Sequence, residues 1–184
     1  MNDNNPLRHV AALGLAGLLA TPAFAVDLRP DAAMVQAAGA PHGTGAAGVG
    51  AVWDWGWQWP RRALFTGQTE LILSHWRAEA IGGGSQSLQQ VTLLPVLRLN
   101  LDQGRSPWYL ELGIGASYLT RDYVTPNKTF STRWNFYDMV GGGYKFGANN
   151  KHELGLRYVH ISNLSIRKPN PGEDFLQLRY AVKF

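Results

Sequence analysis

The chain has 184 residues, a formal charge of +4, 45% hydrophobic and 16% charged residues, and a mean hydropathy of -0.18. That length suits one domain. The balance is too polar for a bundle of membrane helices and too poor in charge for an ordinary soluble domain. With no cysteine, disulfides, thiolate metal sites and a Cys nucleophile are excluded, and the scattered basic residues leave no nucleic-acid footprint.

Residues 1–25 read as a secretory signal. Arg8 and His9 precede the apolar run VAALGLAGLLA, and Ala23 and Ala25 stand in A-x-A spacing. The run is shorter than the roughly 20 residues a spanning helix needs. Cleavage after Ala25 leaves a mature domain of residues 26–184.

After residue 25, alternating segments recur between turn signals. The pattern predicts strands over 32–40, 46–57, 64–80, 88–101, 108–119, 131–146, 152–161 and 174–184. In the second, Trp53, Trp55, Trp57 and Trp59 share one parity, as in an interfacial aromatic belt. In the fourth, Val91, Leu93, Pro95, Leu97 and Leu99 oppose Gln90, Thr92, Arg98 and Asn100, with a local bulge expected at Pro95. Eight strands of about 9–11 residues or more fit the smallest outer-membrane barrels. The fold class is therefore all-β, an eight-stranded antiparallel transmembrane β-barrel. A soluble barrel with its apolar face inside is the alternative. Lipid outside is favoured by export, by a terminal run with Tyr180, Val182 and Phe184 on one parity, and by a polar set that can pair in a small lumen: Arg98, Glu111, Arg157, Arg179 and Lys183.

The richest stretch chemically is HISNLSIRKPNPGED, 160–174. A Ser, a His and a carboxylate can form a nucleophilic triad. Parity puts His160 and Ser162 on the apolar face of the seventh strand and Asp174 on that of the eighth, whereas Glu173 shares the lumen charges' parity. Ionisable groups facing lipid are expensive, which favours chemistry over chance. The reading is Ser162 as nucleophile, His160 as base and Asp174 as acid, with Glu173 as runner-up acid. Asn163 and Asn170, or nearby backbone N–H groups, are the oxyanion candidates, against an ordinary turn role. The remaining histidines, His42, His75 and His152, are too dispersed for a metal site, and His75 and His152 read as solvated or lumen residues. No metal or cofactor is expected.

HISN followed by KPNPG and an acid resembles the C-terminus of the PagL outer-membrane lipid A 3-O-deacylases. The strand before it, NFYDMVGGGYKFG, is similar to that family's glycine-bearing strand. The resemblance implies a barrel with a Ser-His-acid triad on its outer surface, hydrolysing the ester-linked 3-hydroxyacyl chain at position 3 of lipid A. It puts the acid at Asp174, where a member of the family carries Glu; it aligns Asn163 and Asn170 with family Asn positions and sets Phe136 near the active site. Asp138 shares Phe136's parity, an acid without an account on an apolar face. The implied partners are lipid A or lipopolysaccharide and the outer membrane, with a homodimer left open. The rival functions are a non-catalytic structural barrel and a phospholipase or acyltransferase using the same triad. N-terminal sequencing of the exported protein is expected to start at Val26; an intact Met1 would rule out the signal.

Overall fold

The computed structural model describes residues 28–60 and 64–184; the expected signal segment, residues 1–25, lies outside them. The strands are β1 Ala32–Gly39, β2 Gly45–Pro60, β3 Leu64–Glu79, β4 Ser85–Asn100, β5 Trp108–Leu119, β6 Trp134–Phe146, β7 His152–Ser162 and β8 Glu173–Lys183. Each pairs antiparallel with its chain neighbour, and β8 pairs with β1 to close the barrel. Closure leaves no strand edge without a partner, which is what lipid demands of a sheet.

The polarity of the barrel is inverted relative to a soluble one. Leu73, Leu93, Leu110, Leu112, Ile114, Val140, Leu156, Leu176 and Leu178 all point outward and are more than half exposed. The inward positions carry Glu70, Gln90, Thr92, Arg98, Glu111, Glu153, Arg157, Gln177 and Arg179, all buried. An apolar girdle of this extent cannot face water without associating, so the soluble-barrel alternative fails.

Six of the buried charges form a closed alternating ring. Arg98 contacts Glu111 and Glu153 at 2.9 Å each. Arg157 contacts Glu111 at 2.7 Å and Glu70 at 2.8 Å. Arg179 completes the circuit to Glu70 and Glu153 at 3.1 Å each. Every charge thus has two opposite neighbours, the condition under which buried ions are tolerated. The sequence expectation of paired lumen charges holds for Arg98, Glu111, Arg157 and Arg179. Lys183 is more peripheral, 3.7 Å from Asp54 and half-exposed.

The glycines of β6 make this packing fit. A Cβ on Gly141 would stand 2.9 Å from Arg157 Cγ. One on Gly143 would collide with the Tyr109 hydroxyl, whose ring lies 4.0 Å from the Arg98 guanidinium carbon.

Two local details differ from expectation. Pro95 makes no bulge: β4 stays in register with β3 through Thr69–Pro95, and on the β5 side the pairs at Leu94 and Pro95 drop out without a shift. A proline lacks only its own N–H, so a ladder can skip it without adding a residue. The irregularity lies in β2 instead. Asp54 pairs with Gln68 but Gln58 with Thr66, so the three residues between them face Gly67 alone, with Gly56 at φ +70°. The even slip preserves parity, and Trp55, Trp57 and Trp59 remain exposed together. With Trp108, Tyr144 and Phe146 they girdle the rim that carries the termini.

At the opposite rim the long β5–β6 connection folds over the mouth. Its buried Tyr123 and Phe130 meet edge to face with centroids 4.9 Å apart, and Tyr123 meets Trp76 in the same manner at 5.6 Å. Burial, and next the Glu173 carboxylate, push the Tyr123 hydroxyl well above its ordinary range, so it stays a donor. Arg157→Met breaks the charge ring and leaves Glu70 and Glu111 each short of a partner. It is expected to cost about 3–5 kcal/mol, measured as a lowered urea midpoint; an unchanged midpoint would show the ring to be dispensable.

Candidate active site

Register brings the candidate residues together on the outer wall. Antiparallel pairing sets His160 of β7 directly across from Asp174 of β8. Directly opposed residues on one face are close enough for a short acid to reach its neighbour. His160 Nδ1–H donates to Asp174 Oδ1 at 2.7 Å, and both side chains are about two-fifths exposed, at 39% and 40%. With Nδ1 donating, Nε2 is the ring's free acceptor. Gly172 closes the other side of the ring. It has φ +65°, and a Cβ there would stand 2.6 Å from His160 Cε1. The PNPG turn therefore needs its glycine for backbone conformation and for space.

Ser162 is the last residue of β7, on His160's face and buried. The chain then turns sharply: Leu164 and Ser165 have φ of 52° and 59°, and Ile166 N–H donates to Asn163 O at 3.0 Å. Left-handed conformation in two successive non-glycine residues is strained and must be held by its surroundings. The turn points Leu164 N–H at Ser162 Oγ, at 3.4 Å. Among the described residues no hydrogen bond joins Ser162 to His160. Such bonds commonly tighten only with substrate bound.

The two asparagines part company. Asn163 is an anchor: its Nδ2 donates to Ser131 Oγ at 3.0 Å, Thr132 Oγ1 at 3.1 Å and Arg167 O at 2.8 Å. It thereby ties the β7–β8 connection to the β5–β6 connection, and its amide hydrogens are consumed. Asn170 Oδ1 accepts the Asn163 backbone N–H at 3.0 Å. A donor at that position fixes which amide atom faces it and leaves Asn170 Nδ2 to donate elsewhere.

Glu173 does not meet His160. It points inward, fully buried, and binds Tyr123 Oη at 2.6 Å and Lys128 Nζ at 2.8 Å. Phe136 lies across from Ser162, and Asp138 across from His160 on the side away from Asp174. That register explains where Asp138 belongs: His160 stands between two carboxylates, of which only Asp174 is hydrogen-bonded to it. Tyr158, which the sequence did not single out, donates its hydroxyl to Asp174 Oδ1 at 2.8 Å. Gly172 was missed as well, though the tight PNPG turn was its signal. His75 and His152 are on the outer wall rather than in the lumen. The first is exposed beside Gln89 Nε2 at 2.9 Å; the second is stacked between Phe146 and Tyr180.

A family model described as Lipid A 3-O-deacylase (PagL) matches residues 45–183. The chain belongs to the PagL family. The lipid A deacylase PagL of Bordetella bronchiseptica is 33% identical over 134 residues, covering 71% of this chain and 68% of that protein. Its namesake in Pseudomonas aeruginosa is 28% identical over 159 residues, 82% and 88% of the two chains. The crystal structure of the outer membrane enzyme PagL superposes with a TM-score of 0.72 at 24% identity, over 83% of this chain and 99% of that one. Membership in the PagL family makes the protein an ester hydrolase of the bacterial outer membrane and removes the non-catalytic barrel from the expectations. Gly172→Ala forces the His160 ring aside. Misplacement by about 1 Å costs roughly 100-fold, so ester hydrolysis should fall by that order, well beyond the modest drop in urea midpoint expected from the roughly 1–2 kcal/mol cost of a left-handed alanine. Full activity in this variant would mean that the ring position is not critical.

Proposed function

We propose that this barrel removes the ester-linked 3-hydroxyacyl chain from position 3 of lipid A, with Ser162 as nucleophile, His160 as general base and Asp174 as the orienting acid. The carrying observation is the 2.7 Å hydrogen bond from His160 Nδ1 to Asp174 on the outer wall, two residues along the strand from a serine on the same face. Family membership supplies the substrate class, since the named relatives are lipid A deacylases.

In this reading His160 Nε2 takes the Ser162 hydroxyl proton as Oγ attacks the ester carbonyl. Asp174 holds the tautomer and stabilises the imidazolium that forms. The tetrahedral oxyanion is met by Leu164 N–H, already turned toward Ser162, and by the Asn170 amide, whose hydrogens make no hydrogen bond among the described residues. Asn163 serves by holding the turn. Collapse expels the sugar 3-oxygen, which receives the proton from His160, and leaves an acyl-Ser162 ester. Water, deprotonated by His160, then hydrolyses this ester and releases the hydroxy fatty acid.

The outward position suits a substrate that stays in its leaflet. Acyl chains lie along the wall of Leu, Ile and Val below the site, and the sugar sits at the loop-bearing rim. There a cleft of about 610 Å³ opens between the β5–β6 and β7–β8 connections, lined by Lys128, Lys168 and Asn170 among others. These donors suit a polar, anionic headgroup.

Mass spectrometry of lipid A from cells expressing the protein is expected to show loss of one 3-hydroxyacyl chain with the wild type and none with Ser162→Ala. Intact lipid A in both, or release of a phospholipid acyl chain instead, would overturn the reading. Among the acids, Asp174→Asn should lower kcat on the order of 10⁴-fold, whereas Asp138→Asn and Glu173→Gln should cost far less. A Glu173→Gln loss as large as that of Asp174→Asn would transfer the role.

A further inference from the structure

Asp174 carries its carboxylate on a single methylene, one fewer than a glutamate. A short carboxylate on an outer wall is also a group with few partners. It stands half out of the protein at the lipid rim, where water is scarce and an anion lacking hydrogen bonds is costly. The structure supplies one further donor. Tyr158 lies two residues before His160 on the same face of β7, diagonal to Asp174. Its hydroxyl donates to Asp174 Oδ1 at 2.8 Å, the same oxygen that accepts His160 Nδ1–H at 2.7 Å.

We infer that Tyr158 is a positioning residue for the reaction, holding the Asp174 carboxylate so that its Oδ1 faces the His160 ring. Two donors on one oxygen fix the carboxylate against rotation, because turning it about Cβ–Cγ breaks both bonds together. Through Asp174 the hydroxyl also fixes the imidazole, whose Nδ1 is held by the same carboxylate oxygen. The phenol supplies the hydrogen bond that water would give in an exposed triad. It does so from an amphipathic side chain at home in the interfacial layer, apolar body toward lipid and hydroxyl toward the site. Tyr158 is about half exposed, at 51%, so it carries little of the barrel's packing, and no other hydrogen bond of its hydroxyl occurs among the described residues. A purely structural tyrosine would place its hydroxyl on backbone or solvent rather than on the acid that orients the base.

This inference rests on the assignment of Ser162, His160 and Asp174, and the experiment separates the two. Tyr158→Phe keeps the ring and removes only the hydroxyl. In the purified, detergent-solubilised barrel acting on lipid A, it is expected to lower kcat roughly ten-fold. KM should stay within about two-fold and the urea midpoint should be unmoved. If Tyr158 acts through Asp174, the two changes are not additive: in an Asp174→Asn background, Tyr158→Phe should change the residual kcat by less than about two-fold. Multiplicative losses, a rise in KM with kcat intact, or a fully active Tyr158→Phe would each overturn the role. Ser162→Ala is the control on the underlying reading. Activity surviving in Ser162→Ala removes the triad itself; inactivity there with wild-type behaviour in Tyr158→Phe removes only the role of Tyr158.

Discussion

The alternating ring of Arg98, Glu111, Arg157, Glu70, Arg179 and Glu153 is the constraint on which the rest depends. An eight-stranded barrel has no room for a water channel, so its interior must be filled by side chains. With lipid outside, those side chains are the inward half of every strand, where apolar residues such as Ile72, Leu94 and Phe175 share the space with polar and charged ones. Charges packed there survive only if each is matched, and the ring matches every one twice. It also links β3, β4, β5, β7 and β8 across the lumen, which adjacent-strand hydrogen bonds alone do not do. A slip of one residue in any of these strands would turn its ring members to lipid.

That locking sets the face of the reactive residues. Glu153 and Arg157 point inward on β7, so Tyr158, His160 and Ser162 must point outward. Arg179 points inward on β8, so Asp174 does the same as they do. The two neighbouring acids of GED are thereby divided between the faces. Glu173 draws Tyr123 and Lys128 down over the mouth, while Asp174 meets His160. Since the β5–β6 connection in turn receives Asn163 through Ser131 and Thr132, the same plug that seals the lumen steadies the turn after Ser162. The interior of the barrel and the reactive site on its exterior share their supports.

An ester hydrolase on the outside of a barrel answers a problem of access. A lipid substrate keeps its chains in the leaflet and offers its ester at headgroup depth. A site on the wall at the loop-bearing rim meets that ester without extraction into water. On the proposed mechanism the cost is that the catalytic groups lack the enclosure of a pocket, and orientation must come from neighbours on the same wall. Asp138 and Asp174 flank His160 on the neighbouring strands, Tyr158 holds Asp174, and the strained turn at Leu164 and Ser165 brings a backbone donor to Ser162.

The strand count, the inside and outside of each strand and the choice of Asp174 over Glu173 for the outer face were legible in the sequence. All three follow from period-two alternation, a property of the single strand that needs no knowledge of its neighbours. Pairing across strands was not legible, because register depends on how separate segments meet. Only the closed barrel set Asp138 beside His160, carried Tyr158 to Asp174, committed the Asn163 amide to the loop and moved the irregular pairing from Pro95 to the segment around Gly56. Parity determined which residues share the wall; register determined which of them touch.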